Sequence, residues 1–329
     1  MIKQINLKKR GEGKIFNGVK NKAVNSVIIN FPTNLGDAIM GLPVLDRLRF
    51  NYPSAKITAI ASPKVKNFFL SNSFVDEVIM FDKVWKLWQK VRFVLDLRGK
   101  YDLIVDLKNS FLPVVLGAKK RSSFLRNFPK GAHAREEYLS LIDKIAPKKG
   151  AMKSEFKLIC EDEKKWGALN IEKAVFIACS SRSCLKSYPC EYLKEVIQVL
   201  SKRYELVILG TKEDRSMYGD ILFMEGVVDL VGETQMSDVF YLLKKYAQGV
   251  ICVDSSVMHA ASYLNLPIVA IFGPTDVNRY GPWPEKSIVL RKENLTCSPC
   301  GKAKCDTDSE CMRVRPQEVV EAVERMLNR

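Results

Sequence analysis

The sequence predicts an α/β protein with two domains, each built on a parallel β-sheet. In each half of the chain, short apolar runs of strand length alternate with segments whose apolar residues have helical spacing. The clearest example is residues 249–282, where an apolar run, a helix with good N-cap residues and a second apolar run follow one another. The length of 329 residues also suits two domains better than a single core.

The first half contains four predicted strands joined by helices. The strands are predicted at residues 26–31, 56–61, 77–81 and 101–106, and the helices at 38–49, 63–70, 84–97 and 134–145. We expect residues 25–155 to form an N-terminal domain. Residues 1–24 read as a basic tail that is disordered or loosely docked.

The second half repeats this alternation. Its strands are predicted at residues 174–178, 205–209, 227–231, 249–253 and 267–272, and its helices at 191–200, 236–246, 257–264 and 317–327. We therefore expect residues 156–329 to form a C-terminal domain, with a Cys-rich loop before its final helix.

Two groups of polar residues stand where strands of the second domain end. They are Asp254, Ser255, Ser256 and His259 after the strand at 249–253, and Gly273, Pro274 and Thr275 after the strand at 267–272. Parallel sheets bind ligands beyond the carboxyl ends of their strands, and a helix N-terminus there adds free N–H groups. The pattern predicts an anion site at this edge, and a phosphate fits it best.

The loop after the strand at 174–178 also carries groups that bind phosphates. It contains the hydroxyls of Ser180 and Ser181 and the ammonium of Lys186, which together can cradle a diphosphate. No G-x-G-x-x-G follows the first strand and no acidic residue ends the second, so the sequence disfavours a nicotinamide dinucleotide site.

The charge of the chain favours an acidic partner. A net charge of +15 and a pI near 9.3 suit nucleic acid, an anionic lipid surface or a phosphorylated sugar. The sequence carries no helix-turn-helix, zinc-finger or aromatic RNA-binding signature, which argues against nucleic acid. With neither a membrane-spanning run nor a signal peptide, we expect a cytoplasmic protein, whose basic residues 1–24 suit electrostatic attachment to anionic lipid headgroups.

Lys119 and Arg121 belong to a stretch rich in Lys and Arg, residues 108–133. Taken singly, such residues are most simply explained as a solvated loop. Taken as a cluster facing a cleft, they would receive an acidic acceptor, and the sequence leaves both interpretations open.

Cys297, Cys300, Cys305 and Cys311 form a compact group near the C-terminus. Four soft ligands in one loop suit a structural Zn or Fe ion in tetrahedral geometry. The alternative is a set of reduced or buried thiols, because disulfides are rare in a reducing compartment. Neither interpretation gives the ion a part in catalysis.

Three separated motifs resemble those of glycosyltransferase family 9, the bacterial heptosyltransferases of lipopolysaccharide core synthesis and their relatives. DSSVMH at 254–259 with FGPTD at 272–276 resembles the family's C-terminal signature, with Ser256 in place of the usual glycine. NLGDA at 34–38 resembles its N-terminal Gly-Asp motif. KSYP at 186–189 resembles its Lys-x-Trp-Pro element, with Tyr188 for tryptophan.

The resemblance implies a GT-B fold, in which two Rossmann-like domains face each other across a cleft. It implies that Asp37 is the general base, whereas composition alone would make it a helix cap. Asn34 and Gly36 of the same motif would bind the acceptor. The donor would be bound by Lys186, Ser180, Ser181, Asp254, Ser255, Ser256, His259, Gly273, Pro274 and Thr275.

The implied activity is inverting transfer of heptose from ADP-heptose to an inner-core acceptor of lipopolysaccharide, an acidic glycolipid. No cofactor is expected for this step, because a lysine and helix dipoles can stabilise the leaving diphosphate. Two alternatives stay open. One is a nucleotide-sugar epimerase of the same architecture, which would need no acceptor, and the other is a non-catalytic nucleic-acid-binding protein, suggested only by charge.

Overall fold

The chain divides into two compact units, Met1–Ile159 and Cys160–Arg329. The computed structural model describes residues 4–6, 24–123, 131–148, 158–160 and 162–328. The domain boundary predicted between residues 155 and 156 lies outside the described residues, as does most of the predicted tail. Within the described part, each unit contains one six-stranded sheet.

The sheet of the first unit is parallel except at one edge. Its strands are β1 (Gln4–Asn6), β2 (Ser26–Asn30), β3 (Lys56–Ala61), β4 (Glu77–Met80), β5 (Leu103–Asp106) and β6 (Lys120–Arg121). They lie in the order β1-β4-β3-β2-β5-β6, and only β1 pairs antiparallel to its neighbour. The sequence predicted β2 to β5. It did not predict β6, and β1 forms within the stretch predicted as a tail.

Short helices connect these strands. They are α1 (Leu35–Met40), α2 (Leu42–Asn51), α3 (Lys66–Leu70), α4 (Leu87–Leu97), α5 (Leu112–Val115) and α6 (Ala134–Ser140). Helix α4 buries Phe93 and Leu97 against Ile28, Ile60 and Ile104 of the sheet. The strands are buried on both faces, which is usual for parallel sheets and explains their nearly continuous apolar sequence.

The helix predicted at 38–49 is two helices with a break at Gly41. A Cβ on Gly41 would lie 2.9 Å from the Leu107 side chain and 3.2 Å from the Ala38 carbonyl oxygen, so only glycine fits there without a shift. Helix α1 also begins earlier than predicted, at Leu35. This start places Asp37 inside the first turn of α1.

The sheet of the second unit is parallel throughout. Its strands are β7 (Ala174–Ala178), β8 (Glu205–Ile208), β9 (Val227–Asp229), β10 (Ala247–Val253), β11 (Ile268–Phe272) and β12 (Ile288–Arg291). Their order is β12-β11-β10-β7-β8-β9. The sequence predicted all of these strands except β12.

The helices of the second unit complete an α/β domain. They are α7 (Glu163–Gly167), α8 (Cys190–Leu200), α9 (Arg215–Tyr218), α10 (Met236–Tyr246), α11 (Ser256–Tyr263), α12 (Val277–Tyr280) and α13 (Pro316–Leu327). Helices α8 and α13 bury Ile197 and Val323 in the main core, against Ile251 and Ile271 of the sheet. In the described part of the chain, no helix has the length and apolar character needed to cross a bilayer.

Candidate active site

Three loops meet at the carboxyl edge of the second sheet, because β7, β10 and β11 are neighbours there. Lys186 lies in the loop after β7, Asp254 directly follows β10 and Gly273 directly follows β11. Parallel pairing brings the ends of these strands to the same edge. The structure therefore gathers the predicted donor-binding segments at one place in the second unit.

An ion pair between Lys186 and Asp254 occupies this edge. The Nζ atom of Lys186 lies 2.7 Å from Oδ2 of Asp254, whose side chain is only 10% exposed. Partial burial makes such a charge-assisted bond stronger than an ion pair on the open surface. An ammonium has three N–H donors, so Lys186 keeps donors for a further anion while Asp254 fixes its position.

His259 lies near the other oxygen of the same carboxylate. Its Nε2 is 3.7 Å from Oδ1 of Asp254, and its ring is buried and stacked on Trp283, with the centroids 6.4 Å apart. A buried imidazole in this position packs against Asp254 and supports the ion pair. The sequence prediction missed Trp283. The only indication in the sequence was weak: a tryptophan between Pro282 and Pro284, a few residues after the FGPTD motif at 272–276.

Helix α11 begins at this edge and faces it with free donors. Ser255 is the N-cap residue, in an extended conformation and without a side-chain cap bond. The first-turn N–H groups of a helix have no intrahelical acceptor, and the helix dipole is positive at this end. In the described part of the chain, the buried hydroxyls of Ser255 and Thr275 lack a hydrogen-bond partner. Together these groups form a site that an anion can satisfy.

Ser256 replaces the glycine of the family signature without strain. It is the first residue of α11 and is not among the residues with positive φ. A serine adopts this helical conformation as readily as other residues, and its backbone N–H stays available. The substitution therefore leaves the predicted backbone site intact.

The loop between β7 and α8 is held at both ends. The Ser181 N–H donates to Oγ of Ser187 (3.1 Å), and the buried Tyr188 hydroxyl donates to the Val314 carbonyl oxygen (2.8 Å). Ser180 is buried and lies near the Tyr218 side chain, whereas Ser181 is only partly buried. The donor-binding role of the two hydroxyls stays a prediction.

The Gly273-Pro274 turn is fastened to the Cys-rich loop. The Ser298 hydroxyl donates to the Gly273 carbonyl oxygen (2.8 Å), and the Gly301 N–H donates to the Pro274 carbonyl oxygen (2.7 Å). A Cβ on Gly273 would lie 2.5 Å from Sδ of Met312, so the backbone of Gly273 packs directly against the Met312 side chain. The Cys-rich loop therefore shapes the predicted phosphate edge.

The metal site predicted at Cys297, Cys300, Cys305 and Cys311 is not formed. Within the described ranges, no three Cys, His, Asp or Glu side chains are arranged to hold a metal ion. Cys305 instead bonds with the Thr307 hydroxyl and accepts the Ser309 N–H at 3.3 Å, and these bonds lower the pKa of its thiol. Cys311 is buried, which raises the pKa of its thiol. The alternative of separate thiols fits this arrangement.

Asp37 and Asn34 lie together at the carboxyl edge of the first sheet. Asn34 is the N-cap residue of α1, and its Nδ2 donates to Oδ2 of Asp37 at 3.3 Å. Gly36 lies between them in the first turn. Asp37 thus lies at the positive end of the helix dipole, and its side chain is partly exposed.

Lys119 and Arg121, predicted to bind the acceptor, lie at the outermost strand of the first sheet. Arg121 belongs to β6 and pairs with Ile104 of β5, and Lys119 directly precedes β6. The Lys119 ammonium lies near the Asp102 carboxylate, just before β5. The sequence did not predict β6 because its pairing is not local, and the acceptor-binding role of Lys119 and Arg121 stays a prediction.

A buried polar group at the carboxyl edge of the first sheet was also missed. Asp106, the last residue of β5, accepts hydrogen bonds from Nδ2 of Asn30 (2.7 Å), Oγ of Ser110 (2.9 Å) and the Lys108 N–H (3.1 Å). Asn30 ends the neighbouring β2. Polar residues at the ends of two adjacent strands were the available signal. The group holds the loop after β5 in place.

Comparisons with known proteins agree with these features. The model of "Glycosyltransferase family 9 (heptosyltransferase)" matches residues 84–310. Lipooligosaccharide heptosyltransferase 2 of Campylobacter jejuni is 24% identical over 320 residues, which cover 91% of this chain and 98% of that protein.

Solved structures show the same architecture. The E. coli ADP-heptose lps heptosyltransferase II has a TM-score of 0.71 and 23% identity, covering 92% of this chain and 98% of its own. E. coli heptosyltransferase WaaC with ADP has a TM-score of 0.70 and 16% identity, covering 92% and 99%. The predicted GT-B fold, with two parallel-sheet α/β domains, is confirmed.

Proposed function

Because the chain belongs to glycosyltransferase family 9, we propose that it transfers heptose from ADP-heptose to an inner-core acceptor of lipopolysaccharide. The names of the relatives support this choice, since they are lipopolysaccharide or lipooligosaccharide heptosyltransferases. The observation that carries the proposal is the Lys186–Asp254 ion pair beside the N-terminus of α11, an arrangement suited to a diphosphate.

In this proposal the second unit binds the donor. Lys186 and the N–H groups at the start of α11 contact the diphosphate, and the hydroxyls of Ser255 and Thr275 supply bonds that the protein alone leaves unmade. Asp254 and His259 position Lys186 and need not touch the donor. Gly273 and Pro274 bring backbone close to the phosphates, while Ser180 supports the loop from inside.

The first unit would bind the acceptor and supply the base. Asp37 accepts the proton of the attacking hydroxyl, and Asn34 orients the Asp37 carboxylate through its amide. A carboxylate at a helix N-terminus is a weak base, so it takes the proton late, when the new bond is largely formed. Gly36 leaves the first turn of α1 open to the acceptor.

The reaction is a single displacement with inversion. The acceptor oxygen forms a bond to the anomeric carbon while the bond from that carbon to the β-phosphate oxygen breaks. The hydroxyl proton moves to Asp37, and ADP leaves with both electrons of the broken bond. Lys186 and the α11 N–H groups stabilise the negative charge that develops on the diphosphate.

The proposed partners follow from the acceptor. An acidic glycolipid matches a chain with a net charge of +15, and nucleic acid is not needed to explain that charge. We place the reaction at the cytoplasmic face of the inner membrane, where a nucleotide sugar and a growing lipid-linked core meet. The enzyme would attach there peripherally.

The test is product analysis with and without acceptor. Purified protein is incubated with ADP-heptose and a heptose-deficient core lipid, and both substrates are followed by mass spectrometry. We expect the lipid to gain one heptose residue and ADP to be released only when both substrates are present. UDP- and GDP-sugars serve as matched donors that should give no product.

Two results would count against the proposal. Conversion of ADP-heptose to an epimeric sugar nucleotide in the absence of lipid would favour the epimerase. Transfer from a UDP- or GDP-sugar, with none from ADP-heptose, would show that the protein is a glycosyltransferase but that ADP-heptose is not its donor.

A further inference from the structure

Helix α4 exposes an apolar stripe on the side that faces away from its sheet. Val84, just before the helix, is followed by Leu87, Trp88, Val91 and Leu95, all of them exposed, and Leu87 and Trp88 are 77% and 62% exposed. Within α4, positions 87, 88, 91 and 95 have the spacing of one helical face, and Val84 precedes the first turn. We call these five residues the α4 stripe.

The opposite face of α4 is apolar as well. Phe93 and Leu97 are buried there, in a core shared with Ile28, Ile79 and Ile104 of the sheet. Helix α4 therefore already buries one apolar face in the core, and the stripe is a second apolar face. A helix that is apolar on two sides is normally covered on both, and a solvated outer side is normally polar.

Helix α5 extends the exposed apolar surface. Its residues Val114 and Val115 are exposed, as is Phe111 just before it. The Gly99 N–H after α4 donates to the Leu116 carbonyl oxygen after α5, and Leu116 joins the core of Phe93. Eight of the twelve large apolar side chains exposed in the described part of the chain fall between residues 84 and 115. This concentration marks an interaction surface.

Basic residues surround the stripe. Residues 83–100 contain Lys83, Lys86, Lys90, Arg92, Arg98 and Lys100 and a single acidic residue, Asp96. Asp96 is engaged by Arg92, at 3.9 Å. The excess of positive charge is therefore uncompensated within the segment. Long basic side chains beside an apolar strip can lie along it while their charged ends reach phosphate groups.

We propose that α4 lies in the surface of an anionic lipid bilayer, with its stripe among the upper acyl chains and its basic flanks on lipid phosphates. An apolar helix face flanked by Lys and Arg is the pattern of interfacial helices. Trp88 at the edge of the stripe suits the boundary between headgroups and acyl chains.

The charge argues against two other occupants. A symmetric dimer through α4 would bring the same Lys and Arg side chains of two copies together, and their repulsion opposes association. Nucleic acid would use the basic flanks but leave the large apolar side chains in water. An anionic bilayer offers partners to both features, since its phosphates can contact the basic side chains and its acyl chains can cover the apolar stripe.

Membrane docking at α4 rests on the proposed function, because a lipid-linked acceptor would give the docking its biological purpose. Docking at α4 would bring the first unit, which carries Asp37, to the surface where the acceptor is anchored. Docking can nevertheless be measured without any sugar, so the two proposals fail independently. Binding of ADP in solution, which depends on the second unit, should not change when the α4 stripe is altered.

The test uses full-length protein and vesicles of phosphatidylcholine with or without phosphatidylglycerol. We expect the protein to co-sediment with the anionic vesicles, less so as salt rises, and to leave neutral vesicles largely free. The double variant Trp88→Gln/Leu95→Gln should partition at least about tenfold more weakly, because two apolar side chains no longer enter the bilayer. Lys83→Gln/Lys90→Gln should weaken binding only at low salt.

A matched double variant serves as control. Val199→Gln/Phe223→Gln removes two exposed apolar side chains from the second unit, and it should bind vesicles as the parent does. Thermal melts should be similar for all variants, since each replaced side chain is at least partly exposed. Equal vesicle binding by the parent and the α4 double variant would overturn the proposal. So would a concentration-dependent dimer, seen by ultracentrifugation, that only the α4 variant loses.

Discussion

Lys186 and Asp254 are joined by a 2.7 Å ion pair although 68 positions separate them in the sequence. The pair forms because β7 and β10 are neighbours and end at the same edge of the sheet. It links the loop before α8 to the start of α11, so that Lys186 and the N-terminus of α11 lie side by side at one edge of the sheet. The predictions for donor binding follow from this link.

Replacing Asp254 with asparagine should weaken donor binding. The substitution keeps the size of the side chain but removes the charge that positions Lys186. We expect the affinity for ADP, measured by calorimetry, to fall about tenfold, equivalent to about 1.4 kcal/mol. Asp220→Asn is the matched control, because it breaks a solvent-exposed ion pair with Lys194 in the same unit and should leave ADP binding unchanged.

Replacing Lys186 with alanine should weaken ADP binding further. The variant loses charge-assisted hydrogen bonds to the diphosphate, each contributing about 1.5–3 kcal/mol. A loss of roughly tenfold to a hundredfold in affinity is expected by calorimetry. The same substitution should reduce the affinity for AMP by a smaller factor, because AMP has one phosphate fewer. Unchanged ADP affinity would show that Lys186 is not a phosphate ligand.

Gly273→Ala should disturb both stability and the donor edge. The added methyl group would lie 2.5 Å from Sδ of Met312 and 2.8 Å from Sγ of Cys311, so neighbouring segments must shift. We expect a loss of about 1–3 kcal/mol in the free energy of unfolding, measured by denaturant titration. Gly167→Ala is the control, since its new methyl group meets nothing within 4 Å. Equal stability of the two variants would contradict the packing described here.

Two cysteines of the Cys-rich loop, Cys305 and Cys311, should differ in reactivity. Hydrogen bonds lower the pKa of Cys305, so its thiolate is present at lower pH than that of an ordinary thiol. Burial raises the pKa of Cys311 and shields it. Alkylation with iodoacetamide, followed by peptide mass spectrometry from pH 6 upward, should modify Cys305 first. If both thiols resist alkylation and become reactive when a chelator is added, they bind a metal instead.

Most strands were predictable because parallel sheets bury both faces of each strand. Strands β7 and β11 are therefore apolar without interruption, and polar residues after them mark the functional edge. The start of α11 was also predictable, from good N-cap residues at 254–256. These signals are local in sequence.

The failures share a different cause, since each depends on contacts between distant residues. At the break between α1 and α2, Gly41 packs against Leu107, a contact that the local helical spacing cannot reveal. The position of Lys119 depends on the pairing of β6, a strand of two residues. The burial of Ser180 depends on Tyr218, which lies near it in the fold but 38 positions away in the sequence. The cysteine spacing suited a metal, but within the described residues no three potential ligands are arranged to hold one.

The variant Asp37→Asn separates the chemistry from donor binding in one experiment. It keeps the shape of the first turn of α1 and the contact with Asn34, but it cannot accept the acceptor proton. In the transfer assay with ADP-heptose and heptose-deficient core lipid, we expect kcat to fall about a hundredfold or more while ADP affinity stays that of the parent. Turnover within a few-fold of the parent would contradict the role of Asp37 as the base.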